Sequence, residues 1–153
     1  MGKIPMLVGA AAAALIVALP ATTVTATTPL DVTIEVDTSI ELGGGPFTAT
    51  GPAVDDGLFG ASGDTFDLAG KVAGGTPQGV NFQVFKLFVC DDESGAALIK
   101  LQVRIDHKGD NFNWNVVEGW GAYEDLHGTG RGIGIPTGPT TVFDIFSGGM
   151  HID

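Results

Sequence analysis

The sequence predicts an all-β protein: a single antiparallel barrel of about eight strands, preceded by an export signal. Three observations carry this. Apolar and polar residues alternate with period 2 along several segments, as half-buried strands require. Turn-forming clusters rich in Gly, Pro, Asp and Asn separate these segments at regular intervals. The chain has 24 glycines and 8 prolines in 153 residues, yet its hydrophobic content is 44%. That is too apolar for a disordered chain and suits short strands joined by tight turns.

Residues 1–26 read as a cleaved secretory signal. Lys3 supplies the positive start, an apolar run extends from Met6 to Leu19, and Pro20 breaks it. Val24-Thr25-Ala26 places small residues before a cut after Ala26. The apolar run is shorter than the roughly 20 residues of a membrane-spanning helix. The expected mature domain, residues 27–153, is therefore secreted and not membrane-embedded. The whole chain carries a formal net charge of -11. Loss of Lys3 makes the mature chain more acidic still. Such a surface repels nucleic acid and anionic membranes, and no nucleic-acid partner is expected. Cys90 is the single cysteine, so no disulfide forms within the chain. It reads as a small, half-buried apolar residue at a strand end.

Taken in order, Val32, Ile34, Val36, Ile40 and Leu42 define a first strand, ended by Gly43-Gly44-Gly45-Pro46. Phe47 to Val54 reads as a second strand, weakened by Gly51-Pro52. Thr65 to Leu68 is a short strand and Ala69 to Gly79 a loop. Asn81 to Cys90 alternates Phe82, Val84, Lys86 and Phe88 with Gln83, Phe85, Leu87 and Val89, so both faces are expected to be covered. After the turn Asp91 to Gly95, Ala97 to Asp106 returns with Ile99, Leu101, Val103 and Ile105 on one face. Lys100, Gln102, Arg104 and Asp106 lie on the other, toward solvent. Phe112 to Glu118, Gly128 to Ile135 and Thr140 to Ile152 complete the set. No segment reads as a helix. Closure into a barrel would remove the exposed edges that a secreted sheet must otherwise protect.

Between Trp114 and Gly130 lie both tryptophans and the only tyrosine. Trp114-Asn115-Val116-Val117-Glu118-Gly119-Trp120-Gly121-Ala122-Tyr123, followed by Leu126-His127-Gly128-Thr129-Gly130, resembles a signature of small secreted bacterial proteins. These are related to the allene oxide cyclase and dirigent-like barrels. Gly45-Pro46-Phe47-Thr48-Ala49-Thr50-Gly51 and Ser147-Gly148-Gly149 resemble the same group. The resemblance implies an eight-stranded, calycin-like barrel whose lumen holds a small apolar molecule. Trp120 stands where that pattern has Thr. No catalytic acid of the plant cyclase aligns with this chain, so no catalytic residue is carried over.

Trp114, Trp120 and Tyr123 are the candidate ligand-binding residues, since pockets are mainly apolar with a few polar groups. Plain core packing accounts for the same aromatics. The glycines at 119, 121, 128 and 130 read as turn or bulge positions. His107, His127 and His151 match no local zinc spacing, and Asp91 to Gly95 lacks the ligand pattern of a calcium loop. No metal or cofactor is expected. Were the Lys100–Asp106 strand inverted, Arg104 would face the lumen, and Asp106 and Glu118 would become an acid–base pair. Hydrolase signatures are absent. Three functions compete: a carrier for a small hydrophobic ligand, a surface-interaction protein, and an isomerase or cyclase acting in the lumen.

Overall fold

Eight antiparallel strands follow one another in sequence order and close, β1 pairing with β8. The computed structural model describes residues 27–153, with the backbone alone at Ala73. The expected export signal lies outside the described residues. The strands are β1 (Leu30–Ser39), β2 (Gly44–Thr50), β3 (Ser62–Thr76), β4 (Gly79–Cys90), β5 (Gly95–Asp106), β6 (Gly109–Gly121), β7 (Leu126–Pro136) and β8 (Thr141–Ile152). A four-residue helix, α1 (Pro52–Asp55), joins β2 to β3. The expected barrel of about eight strands is thus present. Eight strands leave an interior just wide enough for side chains to fill.

The alternation read from the sequence sorts the faces. Val32, Ile34 and Val36 of β1, Phe88 and Cys90 of β4, and Ala97, Ile99 and Leu101 of β5 are buried in one core. Gln102 and Arg104 point outward and are exposed, so the β5 polar row faces solvent. Phe85 and Leu87 on the outer face of β4 are only half-buried, so that face is not fully covered as expected. The core is aromatic through its middle. Phe88 and Phe146 meet edge to face at 5.6 Å, Phe112 and Phe146 at 4.8 Å, and Phe47 and Phe88 at 5.2 Å.

From Gly128 to Gly134, strand β7 contributes no side chain to the interior. Gly128, Gly130, Gly132 and Gly134 all fall on its inward face. Neighbouring strands fill the space. Met150 and Val116 lean over Gly128, Trp114 over Gly130, and Phe112 over Gly132. Gly128 and Gly130 lie in a strand, as expected, but mark neither a turn nor a bulge, since β7 pairs with β8 in unbroken register there. Their missing Cβ lets large neighbouring side chains, Met150 at Gly128 and the Trp114 ring at Gly130, lie against the backbone.

Several strand boundaries differ from expectation: β6 runs on through Gly119 to Gly121, and three others have a clear local cause. β1 stops at Ser39, because Gly43 and Gly44 adopt φ of +67° and +143° and reverse the chain. Ile40 and Leu42 are left exposed in that turn. β2 stops at Thr50: Gly51 takes φ +111° and Pro52 starts α1, where its missing N–H costs nothing. β3 runs on to Thr76 through the region expected to be a loop. Register shifts between Asp67 and Ala69 and between Val72 and Gly74 let this glycine-containing segment stay paired with β4.

The two ends of the barrel differ. At one end the β2–β3 connection folds inward, burying Ala53 and Phe59. The Phe59 ring stands 5.5 Å from that of Tyr123, which arrives from the β6–β7 turn. Gly60 packs against Cys90. This end is filled. The other end is bounded only by tight connections: β1–β2, β3–β4, β5–β6 and β7–β8. It stays open.

Candidate functional site

The open end leads into a cavity of about 340 Å³. One wall is apolar because inward positions of two neighbouring strands supply it: Phe82 and Val84 from β4, and Leu101, Val103 and Ile105 from β5. Phe112 of β6 and Val142 of β8 continue it. Ile40 sits at the mouth.

The rest of the lining is polar, and Lys86 and Asp144 interrupt otherwise apolar rows. Lys86 falls between Val84 and Phe88 on β4, and its side chain is only 2% exposed. Asp67, its register partner on β3, lies with Oδ1 2.9 Å from the ammonium. That oxygen is buried and makes no aligned hydrogen bond, so the contact is an ion pair only. Lys86 Nζ donates to Thr38 Oγ1 at 3.2 Å, and Thr38 in turn donates to Asp144 Oδ2 at 2.6 Å. Asp67, Lys86, Thr38 and Asp144 thus form one chain of contacts across β3, β4, β1 and β8. Asp110 of β6 completes the polar lining.

A buried ion requires a partner, because desolvation otherwise drives it to its neutral form. Lys86 has that partner in Asp67. The Asp144 carboxyl is pushed above the usual carboxylate range, chiefly by burial. Thr38 and Lys86 pull it down, while Asp67 and Asp110 push it up again. Burial also raises Asp110. The cavity therefore offers an apolar wall, one fixed ammonium and two carboxyl groups that bind protons more readily than usual.

The three aromatic residues singled out from the sequence do not meet, and none lines this cavity. Trp114 is buried in the core, its indole N–H donating to the Arg131 carbonyl at 3.2 Å. Tyr123 is buried at the filled end, its hydroxyl 2.7 Å from Ser94 Oγ and donating to Cys90 Sγ at 3.3 Å. Burial pushes that phenol up to about 12. Trp120 is 42% exposed on the outer face. His127 and His151 stack across β7 and β8 and share the Asp153 carboxylate, at 3.2 and 3.5 Å. His107 lies in the β5–β6 turn. Among the described residues, no group of three or more His, Cys, Asp or Glu is arranged to hold a metal ion. Arg104 pairs with Asp106 outside the barrel at 3.2 Å, and Glu118 is exposed, so neither faces the lumen.

Lys86, Asp144 and Thr38 were not singled out from the sequence, although a signal for two of them exists. Each of the two charges occupies an inward position between large apolar residues: Lys86 between Val84 and Phe88, Asp144 between Val142 and Phe146. Two opposite charges on apolar rows are what a paired site inside a barrel needs. Comparison with protein-family models, curated proteins and solved structures finds no match for this chain.

Proposed function

We propose that this protein is a secreted barrel that binds a small, mainly apolar molecule in the open end of its lumen. The observation that carries the reading is the cavity of about 340 Å³, with one apolar wall and a few convergent polar groups. Ligand pockets combine these same features, and this volume is at the small end of their range. A compact ligand suits it better than a long-chain lipid. The resemblance of the Trp114–Gly130 stretch to the allene oxide cyclase and dirigent-like group supports the same use of the lumen. The Lys3-led apolar run before Ala26 supports action outside the cell.

Titration with an apolar fluorescent probe tests this. Saturable binding is expected, and Val103→Trp should abolish it while leaving the melting temperature nearly unchanged. Binding that survives in Val103→Trp would place the probe elsewhere and remove the lumen as the site. Mass spectrometry of the natively purified protein would then identify any retained molecule.

A second reading is lumenal isomerisation. It is favoured by the placement of Asp144 and Lys86 beside the cavity, where a carboxyl group that binds its proton unusually well can donate and recover it. Turnover of a bound ligand into an isomer, lost in Asp144→Asn, would decide for this reading over simple carriage.

A further inference from the structure

We propose that the lumen selects a ligand with a cationic amine head, seated between Asp110 and Asp144 above Gly134. This rests on the lumen-binding reading and adds the chemical class of the ligand.

The three positions form one inward cross-strand row. Asp110 of β6 pairs with Gly134 of β7, which pairs with Asp144 of β8. Of the four inward glycines on β7, Gly134 is the one over which acidic side chains lie. A Cβ at Gly134 would meet Asp144 Oδ1 at 3.1 Å, Val142 Cγ1 at 3.1 Å and Asp110 Cβ at 3.2 Å. The two acidic side chains therefore flank a narrow gap over Gly134 that faces the cavity, and a methyl group on Gly134 would already press on both. Phe112, two residues along from Asp110, lines the same cavity and supplies apolar surface beside this gap.

The protein's own donors are committed elsewhere. Lys86 faces Asp67 and Thr38, and the Thr38 hydroxyl proton goes to the far oxygen of Asp144. Among the described residues, no side chain or backbone N–H donates to Asp110 or to Asp144 Oδ1. The lining thus contains three carboxyl groups and one ammonium, and is rich in acceptors. An ammonium brings the donors that these oxygens lack, in the charge-assisted form that is strongest out of water. It also relieves the desolvation that holds Asp110 and Asp144 high, and the repulsion from Asp110 that adds to it at Asp144. The chain's overall negative charge attracts the same ligands from a distance. A carboxylate head would meet the opposite balance, with Lys86 already paired.

Three ligands with one aromatic body decide the matter: an arylalkylamine, the matching arylalkanol and the matching arylalkanoate. Each is titrated against purified protein by calorimetry and by displacement of the apolar probe. The amine should bind at least about tenfold more tightly than the alcohol, as a charge-assisted hydrogen bond implies. That preference should disappear in Asp110→Asn and in Asp144→Asn. Gly134→Ala, which fills the gap and leaves every charge in place, should weaken the amine more than the alcohol. Equal binding of amine and alcohol would overturn the cation proposal and leave the lumen reading intact. Tighter binding of the acid would overturn it in favour of recognition by Lys86. Failure of the probe and all three ligands would overturn the lumen reading itself. Melting curves of each variant accompany the titrations; should Asp144→Asn unfold, Asp110→Asn and Gly134→Ala carry the comparison.

Discussion

The indole of Trp114 occupies the space that a side chain at Gly130 would need. A Cβ there would lie 2.6 Å from the indole Nε1 and would also collide with the Ser147 backbone oxygen. The same relation recurs at Gly132, beneath the Phe112 ring. Small β7 residues and large β6 residues are thus one packing solution: the inward face of β7 is left bare and β6 fills it.

The expected consequence is a graded response along β7. Gly130→Ala and Gly132→Ala should each destabilise by about 3 kcal/mol or prevent folding, because backbone and ring both obstruct the new atom. Gly128→Ala should cost less. Its nearest neighbour is Met150 Cγ at 2.9 Å, on a flexible side chain that can turn away. Trp114→Ala removes the filling group instead and should cost on the order of 3–5 kcal/mol. Urea melts of the four variants check the order. Equal losses at Gly128 and Gly130 would show that β7 is tight along its whole length.

These relations also show what the sequence could and could not reveal. Alternation assigned the inward residues of β5, and of β1 as far as Val36, correctly, because a period-2 row of branched residues reports directly which face is buried. It could not interpret Gly128 to Gly134, since a glycine has no polarity to alternate and its role lies in a neighbour's side chain. β3 was missed beyond Leu68 for a related reason. Gly70, Gly74 and Gly75 weaken the local pattern, and pairing with the strongly patterned β4 holds the segment extended. The cavity's location was the least legible feature. Periodicity gives the face of a strand, whereas which end of a barrel is filled depends on where a loop residue such as Phe59 comes to rest.

Lys86 should behave as the keystone of the polar flank. Lys86→Met keeps most of the side-chain volume but leaves Asp67 without its counter-charge and Thr38 without its donor. Loss of one partner of a buried pair typically costs about 3–5 kcal/mol. The loss should shrink in acid, where protonation of Asp144 removes one of the uncompensated charges. Denaturant melts at pH 7 and pH 4 measure both effects. A variant as stable as the wild type at pH 7 would mean that the apolar replacement compensates for the broken pair.

Asp144 sets a definite sign for stability against pH. Its folded pKa is raised above the ordinary value of 3.8 by burial, with Thr38 and Lys86 opposing and Asp67 and Asp110 assisting. Between the unfolded and the raised folded pKa, the folded state holds more protons than the unfolded one. The stability contributed by this group is therefore full below about 3.8, falls as pH rises through the folded pKa, and then levels off. Asp144→Asn should remove that fall. Subtracting the variant's stability profile from that of the wild type isolates it. A difference that rises with pH in this window would mean that Lys86 and Thr38 outweigh burial.

Tyr123 provides the cleanest separation between packing at the filled end and binding at the open one. Its ring packs against Phe59, and its hydroxyl touches Ser94 and Cys90, far along the barrel from Gly134. Tyr123→Phe keeps the ring and removes these hydrogen bonds, leaving the partly buried Ser94 hydroxyl short of a partner. A loss of about 1 kcal/mol is expected. Cys90→Ser should cost less than about 2 kcal/mol, because no disulfide is lost and the Tyr123 hydroxyl can serve the new serine. Neither change reaches the cavity lining, so both variants should bind the apolar probe as the wild type does. Trp120→Ala, on the outer face, should alter neither stability by more than about 0.5 kcal/mol nor binding. Thermal melts and probe titrations of the three proteins test this together. Weakened binding in Tyr123→Phe with stability intact would move the ligand site to the aromatic end and remove the open-end cavity from consideration.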